Sequence, residues 1–169
     1  MNEVVYARVD SPVGIVWVAS TGAGICRIAL GAEQPGSFLS WLSRHLRPVE
    51  LYEDAELMTV ATSQIGEYFS GERQAFDLPL DVYGTAFQRA VWSQVACIPY
   101  GATASYGDIA QLVGKPKGSR AVGTAVGANP LPIVIPCHRV IGSGGDLVGF
   151  GAGLDVKERL LRLEDAYPL

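Results

Sequence analysis

Cys137 is followed directly by His138 in the run Pro136-Cys137-His138-Arg139-Val140, and this pair has the makings of a nucleophile and its base. The attacking form of cysteine is the thiolate, which an imidazole generates by taking the proton. Neighbours on an extended segment point to opposite sides, so the two side chains need a tight turn or a bridging water to cooperate. Glu164 offers a third member. It lies four residues after Leu160 and three after Leu161, on the apolar face of a closing helix, where a carboxylate needs a partner. Two outcomes are open: an ion pair with an arginine such as Arg159 or Arg162, or a Glu-His-water-Cys relay.

The remaining thiols read differently. Cys26 sits in an alternating, strand-like Gly24-Ile25-Cys26-Arg27-Ile28, and Cys97 closes a helix; both are expected to be small buried hydrophobes. There is no CxxC spacing, and the only histidines are His45 and His138, so no metal site is assigned.

Two groups of elements have to position these side chains. Val4–Val9, Ile15–Ala19 and Ile25–Leu30 have strand composition. Helices follow over Ser37–Leu46 and Asp54–Phe69, the second with Leu57, Val60, Ala61, Ile65, Tyr68 and Phe69 on one face. Phe76, Leu78 and Leu80 alternate like a short strand, and Asp81-Val82-Tyr83-Gly84 reads as a linker. The expectation is an α/β N-terminal domain over residues 1–84, a small antiparallel sheet with helices, packed on a mainly α C-terminal domain over 85–169.

In the second part Thr85-Ala86-Phe87-Gln88 and Ser105-Tyr106-Gly107-Asp108 are capping-box patterns opening helices to about Ala96 and Val113. Gly114 and Pro116 stop the latter, and a further helix runs from Gly118 or Ser119 to about Gly127, giving the outline of a helix-turn-helix. Ala121, Gly123, Ala125, Gly127 and Ala128 leave that last helix almost without bulk, which suits tight packing or close approach to DNA, with Arg120 as its long side chain. Leu131–Ile135 reads as a short apolar strand leading to Cys137, and Asp155-Val156-Lys157-Glu158 caps the final helix, to about Asp165.

Charge is uneven. Residues 1–84 carry five Lys and Arg against eleven Asp and Glu; residues 85–169 carry eight against six. Between Ala86 and Ser143 the basic residues Arg89, Lys115, Lys117, Arg120 and Arg139 are opposed only by Asp108, a local stretch able to meet phosphates although the whole chain is at −4. No apolar run is long enough to span a bilayer, and Met1-Asn2-Glu3 lacks the basic start of a signal peptide, so a cytoplasmic protein is expected.

Pro136-Cys137-His138-Arg139-Val140 resembles the active-site signature of the O6-alkylguanine-DNA alkyltransferases. The surrounding pattern agrees in order and spacing: Pro99-Tyr100-Gly101, Ser105-Tyr106-Gly107, Arg120-Ala121-Val122-Gly123, Asn129-Pro130, and Gly151–Gly153 followed by Lys157-Glu158 and Leu160-Leu161. Ser11-Pro12-Val13-Gly14 is also similar to the opening of that family. The resemblance implies direct repair of double-stranded DNA carrying O6-alkylguanine, with O4-alkylthymine left open, by one irreversible transfer to Cys137 without a cofactor. It implies that His138 deprotonates Cys137 through water, Glu164 orients His138, and Tyr106 helps to rotate the nucleotide out and protonates the guanine. Asn129 would tie the DNA-binding helix to the active-site loop. Arg120 would fill the gap in the base stack from a minor-groove helix, beside Ala121, Gly123, Thr124 and Gly127. Ser143, Val140, Phe150 and Ala152 would surround the flipped base. A monomer is implied, with cooperative assembly on DNA left open.

Three departures stand out. Phe150 and Ala152 occupy positions where relatives often have tyrosine and glycine, and Ala152 is expected to narrow the entrance, slowing O6-benzyl transfer relative to methyl. Cys26 resembles one ligand of a zinc site of some relatives, but its companions are not evident. Two other readings fit parts of the chain: a lesion-binding relative that transfers nothing, in which the acceptor cysteine is replaced, and a thiol hydrolase that turns over an acyl-enzyme.

Overall fold

The computed structural model describes residues 3–31, 33–48 and 50–168. Met1 and Asn2, read above as lacking a leader, lie outside them. The chain divides into two compact units, Met1–Tyr83 and Gly84–Leu169.

In the first unit, β1 (Glu3–Ser11), β2 (Gly14–Thr21) and β3 (Gly24–Ala29) form antiparallel pairs. The expected all-antiparallel sheet is corrected by a fourth strand. β4 (Glu50–Glu53) lies parallel to β1, so the order is β3-β2-β1-β4 and the sheet is mixed. A parallel neighbour needs a crossover, which α1 (Pro35–Leu46) supplies. Four residues flanked by glutamates show no usable periodicity, which hid this edge strand in the sequence. α1 buries Phe38, Leu42 and Leu46, one residue per turn, in a core with Val4, Trp17, Ala19, Cys26 and Ala29.

The second helix, α2 (Thr59–Phe69), begins later than expected and is rotated. Its buried face is Ala61, Gln64, Ile65 and Tyr68, whereas Leu57 and Val60 are 63% and 66% exposed. Gln64 holds the face inward because its amide pairs with both backbone groups of Asp77, at 2.9 and 3.0 Å. Those bonds also replace the strand expected at Phe76–Leu80, of which one bridge from Leu80 to Ile25 remains. There Gly24 is obligatory: at φ +152° a Cβ would stand 2.5 Å from the carbonyl oxygen of Pro79.

The second unit contains α3 (Ala86–Val95), α4 (Tyr106–Leu112), α5 (Ser119–Gly127) and α6 (Leu154–Leu163). Two-residue strands β5 (Ala104–Ser105) and β6 (Val140–Ile141) pair in parallel. Both capping boxes form as the sequence dictates. α5 packs on α3 and α4, and the Trp92 indole donates to the carbonyl of Ala125 at 2.7 Å. α4 and α5, joined through Gly114 at φ +77°, make a helix-turn-helix-like pair. Two further expectations are corrected. Leu131–Ile135 is a turn, closed by the Ile135 amide on the carbonyl of Leu131, and α6 is capped by Gly153 rather than Asp155. No helix among the described residues is long and apolar enough to cross a membrane.

Thr85→Ala should cost the second unit about 1 kcal/mol, since it leaves the Gln88 amide without its cap. A thermal melt followed by circular dichroism should show its midpoint fall by roughly 4–8 °C.

Candidate active site

The acceptor thiol sits on a turn that two features of the chain force. Asn129, just past the end of α5, receives the amide of Leu131 on its side-chain oxygen at 2.9 Å and donates to the carbonyl of Ile135 at 2.8 Å. This clasp folds Leu131–Ile135 back on itself, with Ile133 in the left-handed region at φ +67°. Cys137–Arg139 then forms a single 3₁₀ turn rather than an extended strand. The turn buries all three side chains, with Cys137 6% exposed and His138 fully covered.

Behind the thiol, His138 Nε2 donates to the Glu164 carboxylate, which caps the end of α6. That bond assigns the proton to Nε2 and leaves Nδ1 as the basic nitrogen, with no hydrogen-bond partner among the described residues. Arg162, one of the arginines expected beside Glu164, bonds Glu158 at 2.9 Å. The second partner of Glu164 is Arg139, whose Nε donates to Oε1 at 2.6 Å while Nη1 donates to the carbonyl of Ile98 at 2.6 Å. Arg139 is therefore buried and leaves the basic surface stretch to which its charge was assigned.

Burial opposes ionisation of Glu164, but the hydrogen bonds and charges of His138 and Arg139 hold its carboxyl down at about 2. Burial lowers the His138 imidazole below its usual range, against the pull of Glu164, so it is a neutral base at pH 7. The Cys137 thiol is pushed up by burial and drawn down by Asn129 and Lys157, so it rests protonated and needs a base to react. Burial, then Cys137, raises the Tyr106 phenol, which keeps its proton at neutral pH.

A cavity of about 450 Å³ opens beside this turn's unit, lined by Tyr106, Ser119, Arg120, Gly123, Ser143, Val148 and Gly149 among others. It brings together four of the expected site residues: Tyr106, Arg120, Gly123 and Ser143. Val140 is fully buried in β6, while Phe150 and Ala152 are half-buried and outside the cavity lining. The Tyr106 hydroxyl donates to the carbonyl of Val148 at 2.9 Å. On α5, Arg120, Ala121, Thr124, Gly127 and Ala128 are exposed, and Val122, Ala125 and Val126 are buried. Packing explains Ala125, but not Gly123 or Gly127. A Cβ on Gly123 would make ordinary contact with Tyr106 at 3.8 Å, and one on Gly127 would meet nothing.

Sequence reasoning missed Lys157, which is fully buried and donates to the carbonyl of Val140 in β6 and to that of Val148 in the cavity wall. The signal was present: Lys157 shares the face of Leu160, Leu161 and Glu164 by helical spacing. Cys97 is exposed rather than buried, because the chain leaves α3 in a turn there and its thiol donates to Ser93. Cys26 is buried, donates to the carbonyl of Ala19, and is pushed up to about 12 by burial and then Asp81.

Comparison with known proteins agrees along the whole chain. Residues 4–82 match the ribonuclease-like domain and residues 86–166 the DNA binding domain of the 6-O-methylguanine DNA methyltransferases. The methylated-DNA–protein-cysteine methyltransferase of Methanosarcina acetivorans is 42% identical over 94% of this chain and 97% of its own. That of Mycolicibacterium paratuberculosis is 43% identical over 94% of this chain and 91% of its own. The Mycobacterium tuberculosis OGT, crystallised in complex with DNA, superposes with a TM-score of 0.83 at 41% identity, covering 95% of this chain and 92% of that one.

The buried Cys137 thiol lies in the unit that matches the DNA binding domain, and the two matched domains together are those of a cysteine methyltransferase acting on DNA. The chain belongs to the methylated-DNA–protein-cysteine methyltransferase family, and its activity is direct-reversal alkyl transfer to a cysteine, Cys137.

Replacing Arg139 with methionine should destabilise this unit by about 3–5 kcal/mol, because Glu164 stays buried with one partner fewer. The carboxyl's folded pKa lies below its ordinary 4.5, so its contribution is complete above about 4.5 and is lost as pH falls toward about 2. In Arg139→Met the folded carboxyl moves back toward 4.5, so this contribution is smaller and its loss is complete at a higher pH than in wild type, which acid titration by circular dichroism would read.

Proposed function

We propose that Cys137 takes the alkyl group of O6-alkylguanine in double-stranded DNA, once per protein molecule, with the base turned out of the helix. The buried His138–Glu164 pair, whose histidine is on the same 3₁₀ turn as the buried Cys137, carries this reading. The Cys137 proton passes toward His138 Nδ1, directly or through one water. The Sγ lone pair forms a bond to the alkyl carbon, the carbon–O6 bond breaks, and its electron pair stays on the guanine. The guanine anion takes a proton, which Tyr106, a cavity-lining phenol that keeps its proton at neutral pH, is suited to give. The product is a thioether that no neighbouring group can hydrolyse, so the protein is consumed.

Extrusion of the base follows from accessibility, since a thiol 6% exposed cannot reach O6 inside a stacked duplex. The exposed face of α5 suits the approach. Ala121, Thr124 and Gly127 present little bulk, and Arg120 stands at the cavity rim, where it would fill the space left by the base. Lys117 and Arg89, both exposed, extend the positive charge toward phosphates. Ser143 would meet the guanine edge. Phe150 and Ala152 would act on alkyl-group size from behind the lining. Residues 85–169 would thus carry both DNA binding and transfer. The protein would act as a cytoplasmic monomer.

Intact mass after incubation with duplex DNA containing O6-methylguanine should rise by one methyl per protein, mapped to Cys137. Cys137→Ser should bind the same DNA with unchanged affinity and gain no mass. Arg120→Ala should slow transfer from duplex DNA by roughly 10–100-fold while reaction with free O6-benzylguanine changes much less. An equal fall on both substrates would remove Arg120 from the DNA-binding role.

A further inference from the structure

α6 carries two charged residues on its buried face. Glu164 has two charged partners, but Lys157 is in none of the ion pairs among the described residues although its side chain is fully buried. An ammonium is costly to bury without an opposing charge, so its retention calls for a reason beyond packing. Its Nζ donates to the carbonyls of Val140 at 2.6 Å, Val148 at 3.0 Å and Gly149 at 3.4 Å. Val140 directly follows the Cys137–Arg139 turn, whereas Val148 and Gly149 line the cavity. The Val148 carbonyl also accepts from Tyr106, so one oxygen is shared by the ammonium and the phenol.

The charged and titratable groups that face Lys157 come from two elements. The acceptor turn presents Cys137 and His138, and α4 presents the Tyr106 ring, 5.8 Å from Nζ. Of these, Cys137 becomes an anion before the alkyl group moves, and Tyr106 only after it has given its proton to the departing guanine. We propose that Lys157 is a positioning residue of the transfer: its buried ammonium ties the Val148–Gly149 wall to the acceptor turn and supplies the positive charge that the Cys137 thiolate meets as it forms. Three carbonyl dipoles solvate the cation while the thiol is protonated. When the thiolate forms, the cation is already in place, and no group has to reorient. Burial holds Lys157 down to about 8, with Cys137 acting in the opposite direction, so its charge is present at neutral pH and is lost above that value.

The proposal rests on the transfer reading, and a single-turnover assay separates the two. Full-length wild type, Lys157→Met and Lys157→Arg are mixed with duplex DNA containing O6-methylguanine, and both the rate constant and the endpoint are recorded. Lys157→Met should reach the wild-type endpoint of one methyl per protein with a rate constant roughly 100-fold lower, and bind DNA within about twofold of wild type. Amide exchange at Val148 and Gly149 should accelerate in the same variant. The guanidinium of Lys157→Arg keeps its charge at high pH. Its rate relative to wild type should therefore rise at least threefold, roughly, between about pH 7 and pH 9.5. His138 and Tyr106 titrate in both proteins, and the Cys137 thiol differs between them through the charge at position 157, which is the effect the ratio reads.

A Lys157→Met rate equal to wild type would overturn the proposal. So would a lower endpoint with an unchanged rate constant, which is the mark of a purely structural lysine. If Lys157→Met does not fold, the Lys157→Arg ratio decides, and a ratio constant with pH overturns it. No methyl on wild-type Cys137 would remove the transfer reading itself, and the wild-type control makes that failure distinct.

Discussion

A carboxylate buried at the end of α6 organises the catalytic unit. Glu164 is 2% exposed, and a buried charge of this kind persists only where both of its oxygens are answered. His138 answers one and Arg139 the other, and both lie on the 3₁₀ turn that begins with Cys137. Satisfying Glu164 therefore docks α6 on the Cys137–Arg139 turn, sets the imidazole proton on Nε2, and leaves Nδ1 as the unprotonated nitrogen. Arg139 continues the network to the carbonyl of Ile98, just past α3, so the turn is held from two sides. Moving any one of these groups would leave the others buried without their partners.

The electrostatics of the site make sense as a balance between rest and reaction. Burial raises the Cys137 thiol and lowers the His138 imidazole, so both are neutral before DNA arrives. A neutral, buried thiol is protected from oxidation and from stray electrophiles. The opposing influences, Asn129 and Lys157 on the thiol and Glu164 on the imidazole, come from groups that are fixed in place. They lower the cost of proton transfer without any rearrangement of the protein.

The helix-turn-helix-like pair complements this chemistry by geometry. α5 buries Val122, Ala125 and Val126 against its neighbours and leaves small residues and Arg120 outward, a surface that intramolecular packing does not require. Asn129 follows that helix directly and clasps the segment before Cys137. The exposed helix and the buried thiol are thus separated by a short, hydrogen-bonded stretch rather than a loose loop.

Several features were legible in the sequence because they are local. The capping boxes at Thr85 and Ser105, the helix stops at Gly114 and Gly71, and the alternation of β1–β3 each depend on a few adjacent residues, and all appear in the structure. Glu164 was legible for a related reason: helical spacing put a carboxylate among leucines, and such a group must find a partner. The same spacing marked Lys157, but a lysine stem so often lies along apolar surface with its head in water that the signal carried no weight. Tertiary structure decided what spacing cannot express. Leu131–Ile135 has strand composition, yet the Asn129 amide bonds fold it into a turn. Val60 fits an apolar face by periodicity, yet the Gln64–Asp77 pairing rotates α2 away from it. Arg139 looks like a surface cation until Glu164, twenty-five residues further on, draws it inside. Local hydrogen bonds and helical spacing follow from residue identity alone. Which buried charge meets which partner depends on contacts between distant segments, and those exist only once the chain has folded.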